Sequence, residues 1–61
     1  MLLLRIERYL RATRVAPTRF GRDAVGDPWL VSDLRRGRTL RAKTAARIAA
    51  FLDRVEAERR P

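Results

Sequence analysis

The stretch PTRFGRDAVGDPWLVSDLRRGR, residues 17–38, carries the strongest local instructions in the chain. At its centre, Gly26-Asp27-Pro28 is turn chemistry. Glycine permits the reversal, Asp27 accepts hydrogen bonds from free N–H groups, and Pro28 suits the first position of a new helix. Upstream, Val15-Ala16-Pro17 stops a preceding helix, because proline bars the residue before it from the helical region, and Thr18 is placed to cap a helix over 18–25. On that helix Phe20, Gly21 and Ala24 share a face, while Arg19, Arg22 and Asp23 turn outward. Gly21 costs a short helix about 1 kcal/mol relative to alanine, so its presence predicts a close approach by another helix. Downstream, a helix over 28–36 carries Leu30, Val31 and Leu34 inward and ends at Gly37, with Arg35 and Arg36 in the last turn, where the helix dipole favours cations.

Helices are expected on both sides of this unit. From 2 to 14, steps of 100° put Leu2, Ile6, Tyr9, Leu10 and Thr13 on one side and Arg8 and Arg11 opposite. Leu4 projects among the arginines, either as part of a frayed end or as a contact with something outside the domain. After the basic connection Arg38-Thr39-Leu40-Arg41, a last helix over 42–60 has Ala45, Ile48, Leu52 and Val55 as its buried stripe, with Thr44 and Phe51 at the margin. Its far side is mostly alanine, as helix propensity alone would place it or as close packing against a second copy would require. Glu56 and Arg60 are one turn apart in the favourable order. No useful length of strand-period alternation occurs, so the expected class is all-α, a single small four-helix domain over 1–61.

Composition narrows the function. Sixty-one residues hold one thin core, which leaves no room for a multidomain enzyme. Cysteine and histidine are both absent, which removes zinc sites, disulfides, thiol nucleophiles and imidazole bases. Carboxylate catalysis needs a desolvated cleft that so small a chain has little interior to form, so neither an enzyme nor a metal, cofactor or small-molecule ligand is expected. The net charge is +8, fourteen arginines and Lys43 against seven acids. Arginine's planar donor fork suits phosphate and guanine edges, which makes a polyanion the first partner to consider. Met1-Leu2-Leu3-Leu4 is interrupted by Arg5 and Glu7 before it makes a signal peptide, and no stretch approaches the ~20 apolar residues of a membrane span. The expected address is the cytoplasm, in association with the nucleoid, with no membrane partner.

Two short helices joined by a tight turn make a helix-turn-helix reading. Such a unit needs an apolar residue followed by a small one in its first helix and two inward apolar residues a turn apart in its second. Phe20-Gly21 and Val31 with Leu34 supply them. In these residues the sequence resembles the phage Cro and repressor type of helix-turn-helix protein, the lambda-repressor-like domains, over roughly residues 15 to 52. The resemblance implies that 28–36 is the recognition helix and lies in the DNA major groove, that Arg19 meets a phosphate, and that Arg38 meets the backbone after the recognition helix. One departure is Val25, which stands where the family usually has glycine, with glycine displaced to Gly26. The turn is then either one residue longer or reset by Pro28.

Geometry alone selects the same face. With Leu30, Val31 and Leu34 buried, Trp29, Ser32 and Arg36 point away from the core, flanked by Pro28, Asp33 and Arg35. Trp29, Ser32, Asp33 and Arg36 are the base-reading candidates. Arg36 is suited to the O6 and N7 of guanine, a contact worth roughly 1–3 kcal/mol of discrimination. Ser32 suits several base edges, Trp29 a thymine methyl or deoxyribose, and Asp33 a cytosine amino group. Arg19, Arg22, Arg35, Arg38, Arg41 and Lys43 suit phosphates, which position a protein without reading sequence. Each has a plainer rival: Trp29 as core, Arg35 and Arg36 as helix-end cations, and the arginines of the first helix as a solvated face.

A domain below ~70–80 residues without staples has a marginal core, and a lone recognition helix binds weakly. Both point to a homodimer through the terminal helices, with Leu4, Phe51 and Val55 as interface candidates. The leading expectation is a small phage or bacterial transcriptional regulator, a Cro-like repressor for example, that binds specific double-stranded DNA. A protein-interaction module, antitoxin- or adaptor-like, that binds an acidic partner through the same basic surface is the alternative. A membrane-surface peptide fits poorly with the internal Gly-Asp-Pro cap, and RNA binding lacks interleaved aromatics.

Overall fold

Four helices make up the regular structure of residues 2–59, the part of the chain that the computed structural model describes: α1 (Leu2–Thr13), α2 (Pro17–Val25), α3 (Leu30–Arg35) and α4 (Ala42–Arg59). The class is all-α, with no strand among the described residues. Arg60, and with it the expected Glu56–Arg60 pair, lies outside them.

Three helix ends differ from expectation, each for a local reason. α1 stops at Thr13 rather than residue 14: the Arg14 N–H still reaches the Leu10 carbonyl at 2.8 Å, but Arg14 adopts a left-handed φ of 60°. The Thr13 hydroxyl turns back to donate to the Tyr9 carbonyl at 2.8 Å and accepts the Val15 N–H at 3.3 Å, so the side chain closes the helix. α2 begins one residue early, at Pro17. Ala16 occupies the cap position and no side chain caps the end, so Thr18 is not the cap. Proline's fixed φ and missing N–H suit the first turn and make a hydroxyl cap dispensable. α3 starts at Leu30, not Pro28. The Asp27 carboxylate takes the Trp29 N–H at 2.9 Å and the Asp27 carbonyl takes the Leu30 N–H at 3.2 Å, which spends Pro28 and Trp29 on a tight turn. At the other end Arg36 is the C-cap and Gly37, at φ 101°, reverses the chain.

The turn between α2 and α3 resolves the displaced glycine. Helical geometry continues through Val25, and Gly26 takes the left-handed φ of 72°, its N–H donating to the Arg22 carbonyl at 2.9 Å. The Asp27 N–H then reaches back to the Gly21 carbonyl at 3.1 Å. This return lays the Asp27 backbone on Gly21. A Cβ there would collide with the Asp27 carbonyl oxygen and sit 3.1 Å from the Leu30 Cβ. The close approach expected at Gly21 is therefore made by the turn and by the first residue of α3 together.

Ile6, Leu10, Phe20, Leu30, Val31, Leu34, Ile48 and Leu52 form the buried core, two from each of α1 and α4, one from α2 and three from the short α3. Three inward side chains in six residues explain why so short a helix stays ordered: each buried aliphatic contributes about 1.5–3 kcal/mol of transfer free energy. Phe20 is the hub. Its ring meets Tyr9 at 5.7 Å and Phe51 edge-on at 5.5 Å. Ala45 and Val55, expected in the α4 stripe, are half-buried at its edges. Leu3 and Leu40, which periodicity did not select, pack against the core from outside. α3 packs on α2 and α1, and α4 on α2 and α1. No helix among the described residues is long and apolar enough to cross a membrane.

Candidate nucleic-acid interface

Burying Leu30, Val31 and Leu34 leaves the opposite side of the α3 segment to solvent. Trp29 is 66% exposed, one of the two exposed large hydrophobic residues among the described residues, which removes its rival reading as core. Arg35 and Arg36 are exposed; Ser32 and Asp33 are half-buried. Arg36 closes α3 through its backbone N–H, shared between the Ser32 and Asp33 carbonyls at 3.2 and 3.1 Å. Its guanidinium makes no ion pair among the described residues.

Arg35 is placed differently. It grips Glu7 of α1 with two hydrogen bonds, Nε to Oε2 at 2.9 Å and Nη2 to Oε1 at 2.7 Å, the bidentate geometry that planar guanidinium favours. That hydrogen bond holds the Glu7 carboxyl below its ordinary range and raises Arg35. Arg38 bridges two acids at once, donating from Nη1 to Asp27 at 3.1 Å and Asp33 at 3.2 Å, while its N–H returns to the Asp33 carbonyl at 3.0 Å. Asp27 is held below its ordinary value by the Trp29 N–H first and by Arg38 second. Arg38 is raised, chiefly by Asp27. The three carboxylates that touch α3 or its entry turn are thus all engaged by two arginines, Glu7 by Arg35 and the Asp27–Asp33 pair by the single Arg38.

The remaining phosphate candidates lie around this face. Arg19 and Arg22 are exposed on α2; Arg19 has only a 3.5 Å contact with Asp23 one turn on, between side chains 72% and 48% exposed. An exposed pair of this kind is worth about 0.3–0.5 kcal/mol and yields easily to a phosphate. Arg41 and Lys43 are exposed at the start of α4, whose first turn contains no acid. Cations at the positive end of a helix oppose its dipole, and the unbalanced potential there attracts anions.

The interface candidates do not form one patch. Phe51 and Val55 are half-buried and line a groove of about 380 Å3 between α1, α2 and α4, with Tyr9, Val15 and Phe20 as apolar neighbours. Leu4, 51% exposed, lies about 140° around α1 from Tyr9, on the side of Arg8 and Arg11. The groove and the Glu7–Arg35 and Arg38–Asp27–Asp33 clusters were not foreseen from the sequence. Glu7 and Arg35 are 28 residues apart, and no local periodicity couples them; Asp33 and Arg38, five apart across Gly37, carried the only short-range hint. No protein-family model, curated protein or solved structure matches the chain.

Proposed function

We propose that this protein binds specific double-stranded DNA, as a small transcriptional regulator whose segment 28–36 enters the major groove. One observation carries the reading: two arginines engage the three carboxylates bordering α3, Arg35 on Glu7 and Arg38 on both Asp27 and Asp33. The side chains presented outward are then Trp29 and Arg36, the latter without an ion pair among the described residues, in a chain of net charge +8. Arg36 reads a base edge, Trp29 packs on a thymine methyl or sugar, and Ser32 fills in at close range. Arg19, Arg22, Arg41 and Lys43 hold phosphates on either side. Arg35 and Arg38 shape the face by offsetting acids that would repel the backbone, Glu7 in the first case and Asp27 and Asp33 in the second.

The Gly21 approach beneath the Asp27 turn supports the likeness to lambda-repressor-like proteins, because it is what lets two helices of this unit cross closely. On this reading the chain acts at the nucleoid, without catalysis, and is controlled by its concentration or by a partner. Two copies bind an inverted repeat. Phosphates offset the mutual repulsion of two +8 chains, and Leu4, an exposed leucine of α1, lies at the contact.

Selection from a pool of random duplexes tests class, symmetry and site together. Recovery of an inverted repeat with half-sites about one turn of DNA apart is expected, with affinity that falls steeply as salt rises. Equal affinity for selected and random duplexes would refute sequence reading.

A further inference from the structure

The groove between α1, α2 and α4 has no part in the DNA reading apart from Arg19 on its rim, and no residue of α3 lines it. Its floor is aromatic and aliphatic: Phe20, with Tyr9, Phe51 and Val55 half-buried around it. Two guanidiniums and one carboxylate, Asp23, border that floor. Arg54 stands 5.3 Å from the centroid of the Phe51 ring and has no carboxylate partner among the described residues. Arg19 faces it from α2 with its loose Asp23 contact. The first turn of α2 opens beside them without a side-chain cap and without an acid, so its leading N–H groups add to the positive rim.

We propose that this groove docks an acidic amphipathic helix of another protein, apolar side chains on the aromatic floor and carboxylates toward Arg19, Arg54 and the start of α2. Charge complementarity selects this occupant. A second copy carries the same +8 and would set arginine against arginine. A small molecule is a poor fit, because the groove is only partly enclosed, whereas small-molecule sites bury about 70–90% of their ligand. An amphipathic helix laid in a groove needs only a few apolar anchors and a charged margin, both of which are present. The proposal stands whether or not the protein binds DNA; if it does, an occupant of the groove draws Arg19 away from phosphate.

The test is an amide NMR titration of the full chain, without DNA, against a synthetic peptide of about 16 residues, long enough to form a helix, with Leu and Phe on one face and Glu on the other. A peptide of identical composition in scrambled order is the control. Saturable shifts confined to the amides of Val15, Asp23, Phe51 and Val55 are expected, with binding about tenfold weaker for Arg54→Glu, an exposed change that leaves the core intact. Two results would overturn the proposal. One is equal binding of the scrambled peptide with shifts across all arginine-bearing faces, which is charge attraction alone. The other is movement of the groove amides with protein concentration in the absence of peptide, accompanied by a doubled mass, which makes a second copy the occupant.

Discussion

Gly21→Ala is the most discriminating substitution in the chain, because two well-measured effects pull it in opposite directions. In an ordinary helical site the change gains about 1 kcal/mol of helix propensity. Here the new Cβ would occupy the space of the Asp27 carbonyl oxygen, with the Asp27 carbonyl carbon 3.2 Å and the Leu30 Cβ 3.1 Å away. Backbone atoms give way far less readily than the end of a long side chain. The turn must therefore lift off α2, weakening the Asp27-to-Gly21 hydrogen bond and tilting α3, at an overpacking cost of about 1–3 kcal/mol or more. The net expectation is a loss of up to about 2 kcal/mol, a fall in Tm of up to roughly 16 °C for a domain of this size, at about 8 °C per kcal/mol. Gly26→Ala is the matched control: nothing lies within 4 Å of its Cβ, so it pays only for the left-handed φ of 72°, about 1–2 kcal/mol. Thermal and urea unfolding followed by circular dichroism give the two losses, and amide shifts of Leu30 and Val31 separate them, moving in Gly21→Ala and staying in Gly26→Ala. A rise in Tm for Gly21→Ala, as at any exposed helical glycine, would refute the packing argument.

Arg36→Ala should lower affinity for a selected site well beyond its effect on random DNA, by about 1–3 kcal/mol, whereas Arg38→Ala should weaken both alike, flatten the salt dependence and, by uncovering Asp27 and Asp33, reduce stability as well; equal losses on both DNAs for both variants would remove Arg36 from base reading. Trp29→Ala should leave the unfolding free energy within about 0.5 kcal/mol of the parent, since the ring is 66% exposed, while DNA affinity drops; before substitution, its fluorescence should shift when duplex is added. Because the Glu7 and Asp27 carboxyls are held below their ordinary values of 4.5 and 3.8, the stability they contribute is present above those values and is lost as pH falls through the lower values of the folded state. Tm should thus be level near neutrality and decline below pH 4.5, less steeply in Glu7→Gln; an identical acid limb in that variant would show that the Glu7–Arg35 pair contributes nothing.

Local chemistry makes the helical class, the four segments and the inward trio of α3 legible in the sequence, since helix periodicity, proline and glycine act over a few residues. Leu30, Val31 and Leu34 could be placed inside from spacing alone, and with them the outward position of Trp29 and Arg36. Cap positions were less legible. Thr18 and Pro28 each satisfied a local rule, but Pro17 had already started α2, and the Asp27 side chain captured the Trp29 N–H and delayed α3.

Residue types and their spacing were enough to set the charge, the secondary structure and the side of each helix that turns inward, because those depend on neighbours three or four positions away. Which arginine is matched to which acid depended on how the helices pack. Arg35 looked like a helix-end cation until α1 brought Glu7 to it, and Arg38 like a backbone contact until the Gly37 reversal set it between Asp27 and Asp33. Charge pairs of this kind join positions that are distant in sequence and become neighbours only once the core has closed. The same closure assembled the Tyr9, Phe20 and Phe51 cluster from three helices and left Arg54 beside it, an arrangement that no single segment encodes.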